Sequence, residues 1–199
     1  MKFLSGLFLF ILGFNHAWAN ETTESSLKIT PVVASALEFG GDILVDVTFS
    51  DGSKSNIEAG RGIYISGGFI TPLSNFFEIQ STLGLKWTST KQAKNGVVDW
   101  VRYPLEFLGF YHNKELNFRA GAGLVYQLAN NLKGTDDASV LSMKFENSLG
   151  FVVAGEYYIG AEKNRSLGLR YTSISYKPQT SGYPSVNGNS FGVSLTFWP

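Results

Sequence analysis

The 199-residue chain has no cysteine, only two histidines and no net charge, with 16 Lys+Arg against 16 Asp+Glu. Each scarcity excludes something. Without cysteine there is neither a disulfide framework nor a thiolate metal site, so rigidity must come from elsewhere. Without net charge there is no global field to draw in nucleic acid or an acidic partner. No segment approaches a run of ~18 uninterrupted apolar residues, which excludes a helical membrane span. P-loop, dinucleotide and zinc-ligand spacings are missing too, so no cofactor and no metal is expected.

What is present begins with an export signal. Lys2 supplies a positive start, Phe3 to Phe14 an apolar stretch, and Ala17-Trp18-Ala19 a small-x-small cleavage site. The apolar stretch is too short to span a bilayer and runs at once into polar residues, so residues 1–19 are predicted to be a cleaved secretory signal. Residues 20–30 read as a polar periplasmic lead-in and 31–199 as one domain. Without Lys2 the balance is 15 Lys+Arg to 16 Asp+Glu. An exported chain without disulfides can gain rigidity from a closed ring of backbone hydrogen bonds.

The 22 glycines and the 15% aromatic content, with little helical periodicity, point to an all-β chain. The closing segment places Phe191, Val193, Leu195 and Phe197 on one side and Gly192, Ser194 and Thr196 on the other. Period two means two faces in two different media. The alternation recurs over 77–88, 115–128, 141–159 and 166–176, and more roughly over 38–49, 62–70 and 98–111. That makes about eight segments, several as long as the ~9–11 residues of a tilted transmembrane strand and longer than the ~5–6 usual in soluble sheets. Short connections (71–75, 112–114, 160–165) alternate with longer polar ones (50–60, 89–96, 129–140, 177–189), the asymmetry of periplasmic turns and extracellular loops.

One face is almost free of charge. The other collects Asp42, Asp46, Glu78, Lys86, Arg102, Glu106, Arg119, Lys144, Glu146, Glu156 and Arg170. In an eight-stranded antiparallel barrel the interior only just accommodates side chains, so these charges are predicted to neutralise one another rather than to line an open pore. Aromatics gather toward strand ends on the uncharged face. Trp87, Tyr103, Tyr126 and Phe191 are predicted to form an outer girdle, and Phe77, Tyr111, Phe118, Tyr157 and Phe197 a periplasmic one. A soluble ligand-binding barrel would reverse this polarity, with apolar side chains inside.

The signal, the segments Tyr103-Pro104-Leu105-Glu106-Phe107-Leu108 and Arg119-Ala120-Gly121-Ala122-Gly123-Leu124, the run Leu167-Gly168-Leu169-Arg170-Tyr171 and the closing strand together resemble the OmpA-like family of small outer-membrane barrels, with opacity and OmpW-type relatives. The resemblance covers nearly the whole mature chain and implies an eight-stranded transmembrane β-barrel in the bacterial outer membrane. It further implies contact with outer-membrane lipids including lipopolysaccharide, passage through periplasmic chaperones and the barrel-assembly machinery, and a monomer. One departure stands out: such proteins usually end on an aromatic residue, whereas here Trp198-Pro199 follow Phe197.

Some small barrels of this kind act on lipid A. Those resembling lipid A deacylases carry a histidine two residues before a serine on the penultimate strand, the base a serine nucleophile requires. Here Ser173 and Ser175 stand on that strand without a histidine, and His112 falls in a turn predicted at the other end, so a non-enzymatic protein is expected. Pro104 lacks the N–H of a ladder bond, which reads as a bulge or as a weakened seam able to admit a lipid tail. A third reading is a narrow conduit for small apolar solutes.

Overall fold

The computed structural model describes residues 29–48, 54–91, 97–113, 115–135 and 142–199, so the predicted export signal and all but the end of the predicted lead-in lie outside the described residues. Its strands are β1 (Thr30–Phe39), β2 (Ile43–Thr48), β3 (Lys54–Glu58), β4 (Gly62–Pro72), β5 (Phe77–Lys91), β6 (Val97–Asn113) and β7 (Phe118–Thr135). They continue with β8 (Ser142–Lys144), β9 (Ser148–Tyr158), β10 (Arg165–Ser173), β11 (Ser175–Tyr176), β12 (Val186–Asn187) and β13 (Ser190–Phe197).

Eight of them, β1, β4, β5, β6, β7, β9, β10 and β13, form an antiparallel up-and-down barrel in which each strand pairs with its neighbour in chain order. The ring closes where β1 pairs with β13, Leu37 opposite Val193 and Val33 opposite Phe197. Closure leaves no unpaired edge in the wall, so backbone hydrogen bonding supplies the order that disulfides might otherwise provide. We call the end at which β1 begins and β13 finishes the lower end. The upper end carries two small sheets, the hairpin β2–β3 and the pair β11–β12, while β8 extends the wall beside β7.

Period-two alternation decides what each face carries. Along β10, Leu167 and Leu169 point outward while Ser166, Gly168, Arg170 and Thr172 are buried in the lumen. Along β6, Trp100, Arg102, Glu106, Leu108 and Phe110 point inward, and Tyr103, Phe107 and Tyr111 outward. The outside is therefore a continuous apolar surface, far beyond what a water-soluble monomer leaves uncovered.

Two segments depart from the alternation expected for them. The segment 38–49 is not one strand: β1 ends at Phe39, and Gly40 and Gly41 take φ of 118° and 91°, which turns the chain into the separate β2–β3 hairpin. The left-handed region these glycines occupy is closed to most other residues. The segment 141–159 is likewise broken, because Glu146 and Asn147 both face outward and reverse the phase between β8 and β9. Phe145 thereby turns into the core and Met143 packs against it, the reverse of the outward placement expected for both.

Candidate functional site

The buried charged side chains of the described residues converge in the lumen. Among the described residues it holds Glu38, Glu78, Glu106 and Glu156 with Lys86, Arg102, Arg119 and Arg170, a balanced set. They sort into two networks at different heights.

The upper network centres on Glu38. Its Oε2 accepts hydrogen bonds from Lys86 Nζ at 2.7 Å and Ser190 Oγ at 2.6 Å, and Oε1 lies 3.1 Å from Arg170 Nε. Arg170 Nη2 donates to Glu106 Oε1 at 2.5 Å, and its guanidinium lies 4.9 Å from the centre of the Tyr64 ring. Arg102 instead donates to two backbone carbonyls, those of Ala59 at 2.7 Å and Arg61 at 2.5 Å. This level carries two carboxylates against three cations.

The lower network centres on Arg119, which is wholly buried. It contacts Glu156 at 2.7 Å and Glu78 at 2.8 Å and donates to Gln80 Oε1 at 3.1 Å. Glu156 also accepts from Ser166 Oγ and Thr196 Oγ1. The guanidinium is sandwiched between Phe110 at 4.3 Å and Trp198 at 4.7 Å. Taking charges out of water is costly unless every lone pair and proton finds a partner, and this network comes close to that.

Glycines on the inner face make room for these groups. A Cβ on Gly192 would fall 2.6 Å from Glu38 Cγ, and one on Gly168 would fall 2.5 Å from Glu156 Cγ. Each glycine sits directly opposite its carboxylate residue in the ladder.

Both ends of the lumen are closed by aromatic residues. At the upper end Trp100, Phe145 and Tyr176 pack edge to face with centroids 5.0 to 6.4 Å apart, together with Ile57, Val98, Leu132 and Ile174. Trp100 Nε1 donates to Ala59 O at 2.9 Å, and Tyr176 OH donates to Gln127 Oε1 at 2.7 Å. Burial raises the Tyr176 phenol pKa, with the nearby Arg102 guanidinium opposing. At the lower end Trp198 turns inward beneath Arg119, packs against Tyr158 at 5.8 Å and donates its backbone N–H to Asn164 O at 2.9 Å. A cavity of about 600 Å³ at this mouth is lined by Glu78, His112, Tyr158, Asn164 and Trp198 among others.

Of the charged residues singled out from sequence, Glu78, Lys86, Arg102, Glu106, Arg119, Glu156 and Arg170 lie in the lumen. Lys144 and Glu146 do not. The phase reversal before Ser148 places both outside, where Glu146, 49% exposed, pairs with Lys177 at 3.0 Å. Asp42 and Asp46 are exposed as well, carried away from the barrel by the Gly40-Gly41 turn. The alternation missed Glu38, although Leu37 and Phe39 on either side face outward and place it in phase with the lumen. It also missed Tyr64, Gln80 and Trp198.

The aromatic residues Trp87, Tyr103, Tyr126 and Phe191 stand outward toward the upper end, joined by Phe39. Phe77, Tyr111, Phe118, Tyr157 and Phe197 stand outward toward the lower end, where Phe76, Phe77, Tyr111 and Phe118 form a contiguous patch. Phe197 is the last residue of β13, so the wall ends on it while the two residues beyond fold into the mouth.

Pro104 points into the lumen next to a bulge. Between Val101 and Tyr103 the partners on β7 jump from Asn131 to Leu128, and Ala129 takes φ 48°. On its other side the β5–β6 ladder keeps its register but omits the pairs of Gly84 and Leu85 with Pro104 and Tyr103. The missing N–H thus interrupts one seam. Ser173 and Ser175 lie at the upper end and His112 at the lower end, so no serine–histidine pair forms between them.

No family model and no curated protein matches the sequence. Among solved structures, Ail, the attachment invasion locus protein of Yersinia pestis, determined in complex with the heparin analogue sucrose octasulfate, aligns with a TM-score of 0.51 at 10% identity, covering 85% of this chain and 96% of that one. Neisserial surface protein A aligns at 0.48 with 13% identity over 85% and 96%. The outer membrane protein AlkL, determined in lipid bilayers, aligns at 0.39 with 16% identity over 92% and 94%. The likeness to Ail is one of fold: this chain is a small closed barrel of the same eight-stranded kind.

Proposed function

We propose that the protein is a non-enzymatic, integral outer-membrane β-barrel of a bacterial envelope, exported by residues 1–19 and sealed by a charge-paired lumen. The observation that carries this reading is the polarity of the wall. Leu37, Ile65, Leu83, Phe107, Leu124, Phe151, Leu169 and Val193 face outward, while Glu38, Glu78, Lys86, Glu106, Arg119, Glu156 and Arg170 face inward and pair with one another. Only an apolar medium matches that outside, and a closed barrel is one of the two structures that satisfy every backbone group in such a medium. The lower end, with its short turns, then faces the periplasm and the longer connections face out. Outer-membrane lipids including lipopolysaccharide surround the wall, periplasmic chaperones and the assembly machinery deliver it, and it acts as a monomer.

The paired charges within the lumen and the aromatic residues packed toward each end support a structural protein over a porin. Fractionation and lipid A mass spectrometry test the two halves of the reading. Recovery only from soluble periplasm would overturn the location. A change in lipid A acylation on deleting the gene would overturn the absence of an enzyme. The interrupted β5–β6 ladder favours one second reading, a lateral route for small apolar solutes. Tyr64 stands behind Gly84 on that route, close enough that a Cβ there would fall 2.5 Å from the ring. Unchanged solute uptake in Pro104→Val would dismiss it.

A further inference from the structure

The cavity at the lower mouth, about 600 Å³, falls in the ~300–1,000 Å³ range of small-molecule sites. Its walls come from separate parts of the chain. The lower ends of β4, β5 and β6 contribute Ile70, Glu78 and His112, the turn after β9 contributes Glu162 to Asn164, and the closing segment contributes Trp198.

The charge behind this cavity is unbalanced. The network above it joins two carboxylates, Glu78 and Glu156, to a single guanidinium, that of Arg119. Glu156 is enclosed by Ser166 and Thr196, which donate to it. Glu78 keeps 13% of its side chain exposed, whereas Glu38, Glu106 and Glu156 keep 5% or less. The surplus negative charge therefore reaches the cavity at Glu78, and the low-dielectric wall focuses it there.

The rest of the lining decides which cation answers that charge. Among the described residues no three His, Asp or Glu side chains are grouped to hold a metal ion. Apolar and aromatic groups stand beside the carboxylate instead: Ile70, Pro72, Tyr158 and the half-buried Trp198. Glu162 stands exposed at the rim, where it accepts from Asn164 Nδ2 at 3.3 Å, and Asn164 O holds the Trp198 N–H. The neighbouring Lys163 offsets part of the Glu162 charge, which makes the rim the weaker of the two contacts. A carboxylate inside, an apolar stretch and a second carboxylate at the rim complement an alkyl chain with an ammonium at each end. Aromatic rings add to the attraction for an ammonium group.

We propose that the lower mouth binds a small aliphatic diamine, one ammonium on the Glu78 carboxylate, the alkyl chain along Trp198 and Tyr158, and the other ammonium at Glu162. The site goes beyond the envelope reading above and does not depend on it, because the closed barrel alone forms the cavity.

The test is isothermal titration calorimetry of the folded barrel in zwitterionic detergent, with cadaverine, pentylamine, pentanol or magnesium chloride as titrant. Saturable binding of one cadaverine is expected, with pentylamine about threefold weaker and no heat of binding from pentanol or magnesium. Glu78→Gln leaves Arg119 paired with Glu156 and should weaken cadaverine about tenfold, the loss expected for a hydrogen bond to a charged group. Glu162→Gln, in an exposed turn, should weaken cadaverine about threefold and leave pentylamine unchanged. Absence of saturable cadaverine binding in a barrel whose gel mobility is heat-modifiable, or an unchanged affinity in Glu78→Gln, would overturn the site. Equal binding of pentanol would overturn the charge contact, and equal binding of magnesium the diamine assignment. Equal affinities for cadaverine and pentylamine would overturn the contact at Glu162.

Discussion

Replacing Arg119 with methionine would remove the only cation from a network in which Glu78 and Glu156 sit 2.8 and 2.7 Å from its guanidinium. The methionine would still fill much of the space between Phe110 and Trp198, so the change isolates charge from volume. Removing one partner of a buried ion pair costs about 3–5 kcal/mol, because the other is left uncompensated. Two carboxylates remain here, although Glu78 lies near the lower mouth and recovers some hydration, so the middle of that range is expected. With a urea slope of about 2 kcal/mol/M, the unfolding midpoint should drop by about 2 M. Adding Glu78→Gln and Glu156→Gln removes the stranded charges and should restore more than half of the loss, the residue being the cation–π contacts of about 0.5–2 kcal/mol. The assay is reversible urea unfolding of the barrel in lipid vesicles, followed by tryptophan fluorescence. A loss below about 1 kcal/mol in the single variant, or a triple variant no more stable than the single, would refute the view that the lower network is held by charge pairing.

Four other substitutions address different parts of the molecule. Gly192→Val should destabilise by about 1–3 kcal/mol in thermal melts, since its Cβ would press on Glu38 Cγ and on the Leu37 carbonyl at 2.6 Å each; an unchanged melting temperature would show that the upper network tolerates repacking. Leu169, 67% exposed at the middle of β10, should cost about 2–4 kcal/mol when changed to lysine in vesicles, and a neutral result would remove this position from the lipid face. Phe197→Ala should slow assembly into the membrane, whereas Trp198→Ala should assemble normally and lose about 1–2 kcal/mol through the Arg119 contact; the opposite ranking would mean that the wall does not end functionally at Phe197.

Much of the barrel was legible because its longest strands keep the alternation over most of their length. In β5, and in β7 as far as Leu128, most large apolar residues fall on one parity and most polar or glycine residues on the other, so the faces could be read directly. β1 hid itself because Val32, Val33, Ala34, Ser35 and Ala36 place small residues on both sides, leaving no contrast from which to read the phase. Glu38 was lost with it, although it is the hub of the upper network. Lys144 and Glu146 were misplaced for a different reason: two consecutive outward residues shift the parity by one, and alternation alone gives no sign of where a strand has been interrupted. Trp198 could not be found at all by periodicity, since it lies one residue beyond the last strand, where no pattern continues. The residue types of the lumen were thus largely readable, but their division into two networks depends on strand register, which brings Arg119 of β7 and Glu156 of β9 face to face.

The central claim is that a closed barrel with an apolar outside and a charge-paired inside resides in the outer membrane. Gel mobility of the outer-membrane fraction with and without boiling tests it most directly, because a closed barrel stays compact in detergent until heat opens the ring. A faster-running unheated species that shifts to the mass of the mature chain on boiling is the predicted result. A band in that fraction whose mobility is the same with and without heating, or its appearance only in soluble periplasm, would contradict it.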